Sequence, residues 1–195
     1  AGLNGRRGYQ PRGRTLGGSS SINGHIYNRG QRQDFDTWAQ IGNRGWGYAD
    51  VLPYFKRLER RIGDGEEIYR GRDGNLTVTD IDWRDPLCEA FIAGAQGLGI
   101  PRNRDYNGAT QEGVSYAQRT IHNGRRISAA TAFLHPAMKR GNVTVRTRAH
   151  ATEIIFEGKR AVGVRYAKGG RGGEAVEVRA RKDVILSGGT YNSPQ

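Results

Sequence analysis

The spacing of apolar residues changes period along the chain, and each change predicts a different kind of element. From Asp34, the residues Phe35, Trp38 and Ala39 recur at the i, i+3, i+4 spacing of a helix face, and Gly42 ends the pattern. Val51, Leu52, Tyr54, Phe55 and Leu58 form a second stripe behind Asp50, which predicts a helix over 49–60 with Pro53 in its first turn. A third helix is predicted over 86–98, with Leu87, Phe91, Ile92 and Ala95 facing a core. Leu76 to Val78 reads as a short strand after Asp73-Gly74, Ser115 to Ile121 alternates as a strand, and Ser128 is placed to cap a short helix through Phe133. From Asn142 the period falls to two. Short strands are predicted over 143–146, 151–156, 161–166, 175–178 and 183–186, a meander followed by one buried strand, Val184-Ile185-Leu186. That last strand runs into Ser187-Gly188-Gly189-Thr190, and α/β folds bring main-chain amides to nucleotides where a strand gives way to small residues before a helix.

Charge adds a competing idea. The 195 residues carry 31 Lys+Arg against 19 Asp+Glu, a net +12, and arginines could neutralise phosphates with counterion release. The charge is dispersed, however. Its densest run, Lys56 to Arg61, is interrupted by Glu59 and reads as a solvated helix face. A basic Gly/Arg-rich module for nucleic acid or another polyanion is therefore the alternative, and no nucleic-acid partner is expected. One cysteine, Cys88, excludes an internal disulfide, fits a cytoplasmic location and is expected to pack as a small buried apolar residue. The histidines His25, His122, His135 and His150 are too scattered for a local metal motif, so no metal site is expected. No apolar run reaches the length of a membrane span.

The run Gly13-Arg14-Thr15-Leu16-Gly17-Gly18-Ser19-Ser20-Ser21-Ile22-Asn23-Gly24-His25-Ile26-Tyr27-Asn28-Arg29-Gly30 carries the sharpest chemistry. Adjacent glycines followed by three hydroxyls remove side-chain bulk and let a phosphate or a flat ring lie against the main chain. No carboxylate interrupts it before Asp34. Composition alone also permits an ordinary Gly/Ser surface loop.

This run, from Gly13 through Asp36, resembles the first signature of the glucose-methanol-choline (GMC) flavoprotein oxidoreductases. Asp34-Phe35-Asp36-Thr37-Trp38, Gly45-Trp46-Gly47-Tyr48, Val51-Leu52-Pro53-Tyr54-Phe55, Asn123 to Ala130 and Leu134-His135-Pro136 are similar to the choline dehydrogenase-like branch, and Gly189 to Gln195 looks like the first half of a second signature. The resemblance implies an α/β fold of mixed α+β character: part of an FAD-binding Rossmann-like domain, with several helices in the first two thirds and a β-meander plus one buried strand at the end. It implies FAD as cofactor, a small-molecule alcohol as substrate, and an electron acceptor that the residues do not specify.

Carried over position by position, the resemblance assigns Thr15, Gly17, Gly18 and Ser19 to the FAD diphosphate and ribityl chain. Asn23, Gly24, His25 and Ile26 fall beside the flavin ring, and Ala151 at the adenine end. Some family members attach FAD through a histidine where this chain has Ile22, so non-covalent FAD is implied. The family's Rossmann glycine turn would lie upstream and its catalytic histidine downstream, so no catalytic residue is assigned. Ser193-Pro194 would open a helix with no residues left to form it, and residues 1–195 read as a fragment. The fragment is expected to have no turnover alone, and an inactive remnant of the family is a further alternative. Gly170-Arg171-Gly172-Gly173-Glu174-Ala175 mimics a dinucleotide turn but leads into a strand, which makes it a hairpin.

Overall fold

In the computed structural model of the chain, which describes residues 4–194, the first two helices are set by aspartates. Asp34 accepts from the Gln31 N–H at 2.8 Å, and α1 runs Arg32–Gln40. Asp36 accepts from the Tyr48 N–H at 2.8 Å, tying α1 to the start of α2, Tyr48–Leu58. Phe35 sits between them, edge-on to Trp38 and Phe55 with ring centroids 5.5 Å apart in both pairs. Each such pair contributes about 0.5–1.5 kcal/mol beyond the area it buries. Because α2 opens at Tyr48, Pro53 falls in its second turn, not its first, and one helical bond to the Ala49 carbonyl is lost there.

After Leu58 the chain turns extended, and Glu59–Arg61 becomes β1, parallel to β2, Leu76–Val78. The solvated helix face expected over Lys56 to Arg61 is corrected here. Glu59 is fully buried and Arg61 nearly so, because their charges are met by residues distant in sequence. Glu59 accepts from Arg29 Nη2 at 2.7 Å, from the Gly71 N–H at 3.0 Å and from Arg70, and Arg70 reaches on to Asp105 and Gln118. Burial works against the Arg70 charge, yet the bonds and charges of Glu59 and Asp105 outweigh it and hold the guanidinium above its ordinary range. Arg61 pairs with Asp80 at 2.6 Å.

Asp85 caps α3, Pro86–Gly97, by accepting from the Leu87 and Cys88 N–H groups. Of its predicted inward face only Ile92 is buried; Leu87 is 81% and Phe91 73% exposed, and Cys88 is exposed as well. Periodicity reports an amphipathic face but not its cover, and no described element covers this one. Nor is Ser115 to Ile121 a continuous strand. Gln118 gives its N–H to the Tyr106 hydroxyl at 2.6 Å, which leaves isolated bridges at Val114 and Arg119 before the short hairpin of β3, Ile121–His122, and β4, Arg125–Arg126. Ser128 Oγ accepts from the Thr131 N–H at 3.3 Å, and the helical segment that follows is a π-turn, Ala130–Leu134, continued by α4, His135–Met138.

The chain forms two compact units divided after Asn142. In the second, β5 (Ala149–Glu157), β6 (Arg160–Lys168) and β7 (Glu174–Arg179) make an antiparallel meander in that order. Val162, Gly163, Tyr166 and Ala167 of the central strand are its buried residues, and the turn between β6 and β7 is the Gly-rich hairpin that the sequence predicts. The strands predicted over 143–146 and 183–186 are absent. Ile185 is 84% exposed, because an apolar run becomes a buried strand only between neighbours and no described strand pairs with it. Among the described residues no helix is long and apolar enough to cross a membrane, and no group of His, Cys, Asp or Glu could hold a metal ion.

Candidate functional site

The glycine-and-hydroxyl run folds as a turn that closes on itself. Gly18 N–H donates to the Thr15 carbonyl at 2.9 Å, with Gly17 at φ 88° and ψ −7°, the left-handed geometry that a type II turn demands of its third residue. Ser19 Oγ accepts from the Gly13 N–H at 3.1 Å, Ser20 Oγ donates to the Gly17 carbonyl at 2.5 Å, and Ser21 Oγ donates to the Leu16 carbonyl at 2.8 Å. The three hydroxyls thus tie the bend to itself.

The glycines fall into two groups. A Cβ on Gly13 would lie 2.1 Å from the Gly18 carbonyl oxygen, and one on Gly17 would lie 2.5 Å from Ser21 Oγ, so the protein itself fills those spaces. Gly18 and Gly24 meet nothing within 4 Å on that side. Gly18 has a positive φ of 56° to account for it. Gly24 has neither crowding nor a left-handed backbone.

Beyond the turn, Asn23 to Tyr27 form a strap held from two sides. Ile26 bridges Arg119, whose other edge bridges Thr79, and the flanking bonds are Thr120 N–H to the His25 carbonyl at 2.8 Å and Tyr27 N–H to the Gln118 carbonyl at 2.8 Å. Tyr106 OH donates to the Tyr27 carbonyl at 2.9 Å, which ties the strap to the buried Glu59–Arg70–Gln118 network. On the other side Arg126 Nη1 donates to Asn23 O and Asn23 Oδ1, both at 2.7 Å, and Ser20 Oγ accepts from the Ala129 N–H at 2.8 Å. The predicted residues Thr15, Gly17, Gly18, Ser19, Asn23, Gly24, His25 and Ile26 therefore share one braced surface of the first unit, on which Ile26 is 64% exposed. Ala151 lies in the second unit, exposed on β5, paired with Tyr166 next to a register shift, and β5 is an outer strand whose far edge has no partner strand among the described residues.

The strap is electropositive. Burial, then the charges of Arg126 and Arg119, lower the His25 pKa below its ordinary 6.5. The native chain then binds fewer protons at His25 than the unfolded chain between that lowered value and 6.5, so this group costs stability as pH falls through the window. An imidazole titration by NMR should place the His25 midpoint below 6.5; a midpoint at or above 6.5 would show that the two guanidinium groups do not act on it. With no carboxylate in the run and open space over Gly18 and Gly24, the surface fits a flat, anionic dinucleotide.

Sequence reasoning gave no individual role to Arg126 or Ala129, although the segment containing both was already singled out, and it read Ser20 only as one of three hydroxyls open to a ligand. The signal was the Asn123-Gly124 pair. Both residues have positive φ, 49° and 69°, as in a two-residue hairpin, and that hairpin carries Arg126 to a neighbouring segment.

Solved structures place the fold. Pyridoxine 4-oxidase from Mesorbium loti superposes with a TM-score of 0.81 at 34% identity, over 92% of this chain and 35% of that one. An FAD-dependent oxidoreductase from Chaetomium thermophilum superposes with a TM-score of 0.85 at 28% identity, over 93% and 33%. The class is thus a mixed helix-and-strand portion of the kind found in flavin-dependent oxidoreductases. The family model described as GMC oxidoreductase matches residues 1–195, and the chain belongs to that family. The oxygen-dependent choline dehydrogenases of Sinorhizobium medicae and Brucella ovis are 48% and 49% identical to it over 193 residues, 99% of this chain and 34% of each relative. The chain therefore spans about a third of the length of the curated relatives it matches.

Proposed function

We propose that residues 1–195 are part of the FAD-binding domain of a cytoplasmic oxidoreductase that oxidises the CH–OH group of a small alcohol to an aldehyde or ketone. The observation that carries this reading is Gly24, a glycine on a braced strap that neither a left-handed backbone nor crowding by any described residue explains. When bound, FAD supplies the two-electron acceptor for the hydride leaving the carbinol carbon. The chain's own residues hold and orient. The Thr15 to Ser19 turn offers main chain to the diphosphate and ribityl groups, and Asn23 to Ile26 present a flat surface to the ring. Taken by itself, the second unit has at Ala151 the outer edge of β5, with main-chain donors and acceptors of the kind adenine pairs with. Ile22 provides no nucleophile for a covalent link, so the cofactor is held non-covalently. Among the described residues we assign none to accept the alcohol proton.

The polyanion-binding alternative loses support from the burial of Arg29, Arg61 and Arg70 in pairs with Glu59 and Asp80, since those charges are already met. Titration of the full-length parent separates the two. Stoichiometric FAD binding that persists across salt, with a flavin absorbance band and alcohol-dependent turnover absent from residues 1–195 alone, is the expected result. A colourless parent that takes up no FAD, or one whose main ligand is a polyanion lost steeply with salt, overturns the reading.

A further inference from the structure

The strap has one brace that is neither buried core nor cofactor surface. Arg126 stands on β4, and a single terminal nitrogen, Nη1, meets Asn23 O and Asn23 Oδ1 at 2.7 Å and Ser20 O at 3.4 Å. Those acceptors lie at the two ends of the junction between the hydroxyl turn and the strap. Asn23 Oδ1 also accepts from the His25 N–H at 3.0 Å, so the arginine fixes the oxygen that in turn fixes His25 in its left-handed conformation, φ 51°. A positive φ is uncommon for histidine and persists only where surroundings impose it. Next door, Arg125 is exposed and its side chain makes none of the described bonds to the strap.

We propose that Arg126 is a positioning residue for the flavin ring. Through Asn23 it sets the backbone of Asn23 to Ile26 in the one conformation that leaves the face over Gly24 open. It touches no cofactor atom. The hairpin turn at Asn123-Gly124 exists, on this view, to deliver that guanidinium, and a strap without it samples conformations that carry His25 across the face the ring would occupy. This inference rests on the FAD reading above.

All three acceptors converge on one nitrogen, so a lysine ammonium can replace the guanidinium, whereas a methionine has no donor and a glutamine amide is two bonds too short to reach. In the full-length parent, stripped of flavin and titrated with FAD, Arg126→Met should bind at least about tenfold more weakly while its far-UV spectrum stays native, following the loss of charge-assisted hydrogen bonds. Arg126→Lys should stay within about threefold of the wild type, and Arg125→Ala should be unchanged. The His25 midpoint should move up toward 6.5 in Arg126→Met and stay low in Arg126→Lys. If the methionine variant does not fold, Arg126→Gln takes its place with the same expected loss. A wild-type parent that binds FAD together with a folded Met or Gln variant that binds it equally well overturns this inference alone, as does a lysine variant that loses as much as the others. A wild-type parent that binds no FAD overturns the functional reading, and this inference with it.

Discussion

Replacing Glu59 with alanine should destabilise the unit that ends at Asn142 by about 3–5 kcal/mol, the usual result of removing one partner from a buried ion network. The reason is what remains. The Arg70 and Arg29 side chains are 0% and 3% exposed, and without Glu59 the first keeps, among the described residues, Asp105 as its one charged partner, while the second keeps the neutral Tyr69 carbonyl and Tyr27 hydroxyl and the Tyr27 and Phe55 ring faces. Urea unfolding followed through the tryptophans checks it. With a slope of about 1–3 kcal/mol per molar urea, the midpoint should fall by at least about 1 M. A double-mutant cycle with Arg70→Ala then separates charge from packing. The pair should cost clearly less than the two single variants added together, because the uncompensated guanidinium is gone. Additive losses, or a midpoint shift under about 0.3 M for Glu59→Ala, would mean that the carboxylate is not desolvated in the folded chain.

Glu59 also shows why part of this fold was hidden in the sequence. The α1, α2 and α3 helices were legible because their periodic apolar residues, and for the first two their aspartate start signals, are local, and the meander was legible because glycine turns punctuate an alternating pattern. What Glu59 and Arg61 do depends on Arg29, Arg70 and Asp80, residues 11 to 30 positions away, and within its own run Glu59 looks like one more surface charge. The same gap produced the opposite error at Leu87, Phe91 and Ile185, whose hydrophobicity says that they want cover and not whether this chain supplies it. At the candidate site, the glycine and serine positions could be read from the run itself. The braces could not, since Arg126 and Ala129 reach it across 103 and 109 residues.

The two kinds of glycine in the bend should separate stability from cofactor binding in one experiment. Gly17→Ala places a Cβ 2.5 Å from Ser21 Oγ and 3.1 Å from the Ala130 nitrogen on a left-handed backbone. The conformation alone costs an L-residue about 1–2 kcal/mol, so this variant should lose both apoprotein stability and FAD, its turn unable to close against the π-turn. Gly24→Ala meets no atom within 4 Å and no positive φ, and restricting the unfolded chain should leave the apoprotein unchanged or up to about 1 kcal/mol more stable. In the full-length parent the same methyl group would stand where the ring is to lie, and FAD affinity should fall by about five- to 150-fold, since over-filling a packed contact costs about 1–3 kcal/mol. Melting temperatures without flavin and FAD titrations of both variants read the two quantities separately. Gly24→Ala binding FAD as tightly as the wild type would remove the ligand from above that residue and return the run to an ordinary surface loop, whereas stability kept and affinity lost can arise only if something outside this chain needs that space.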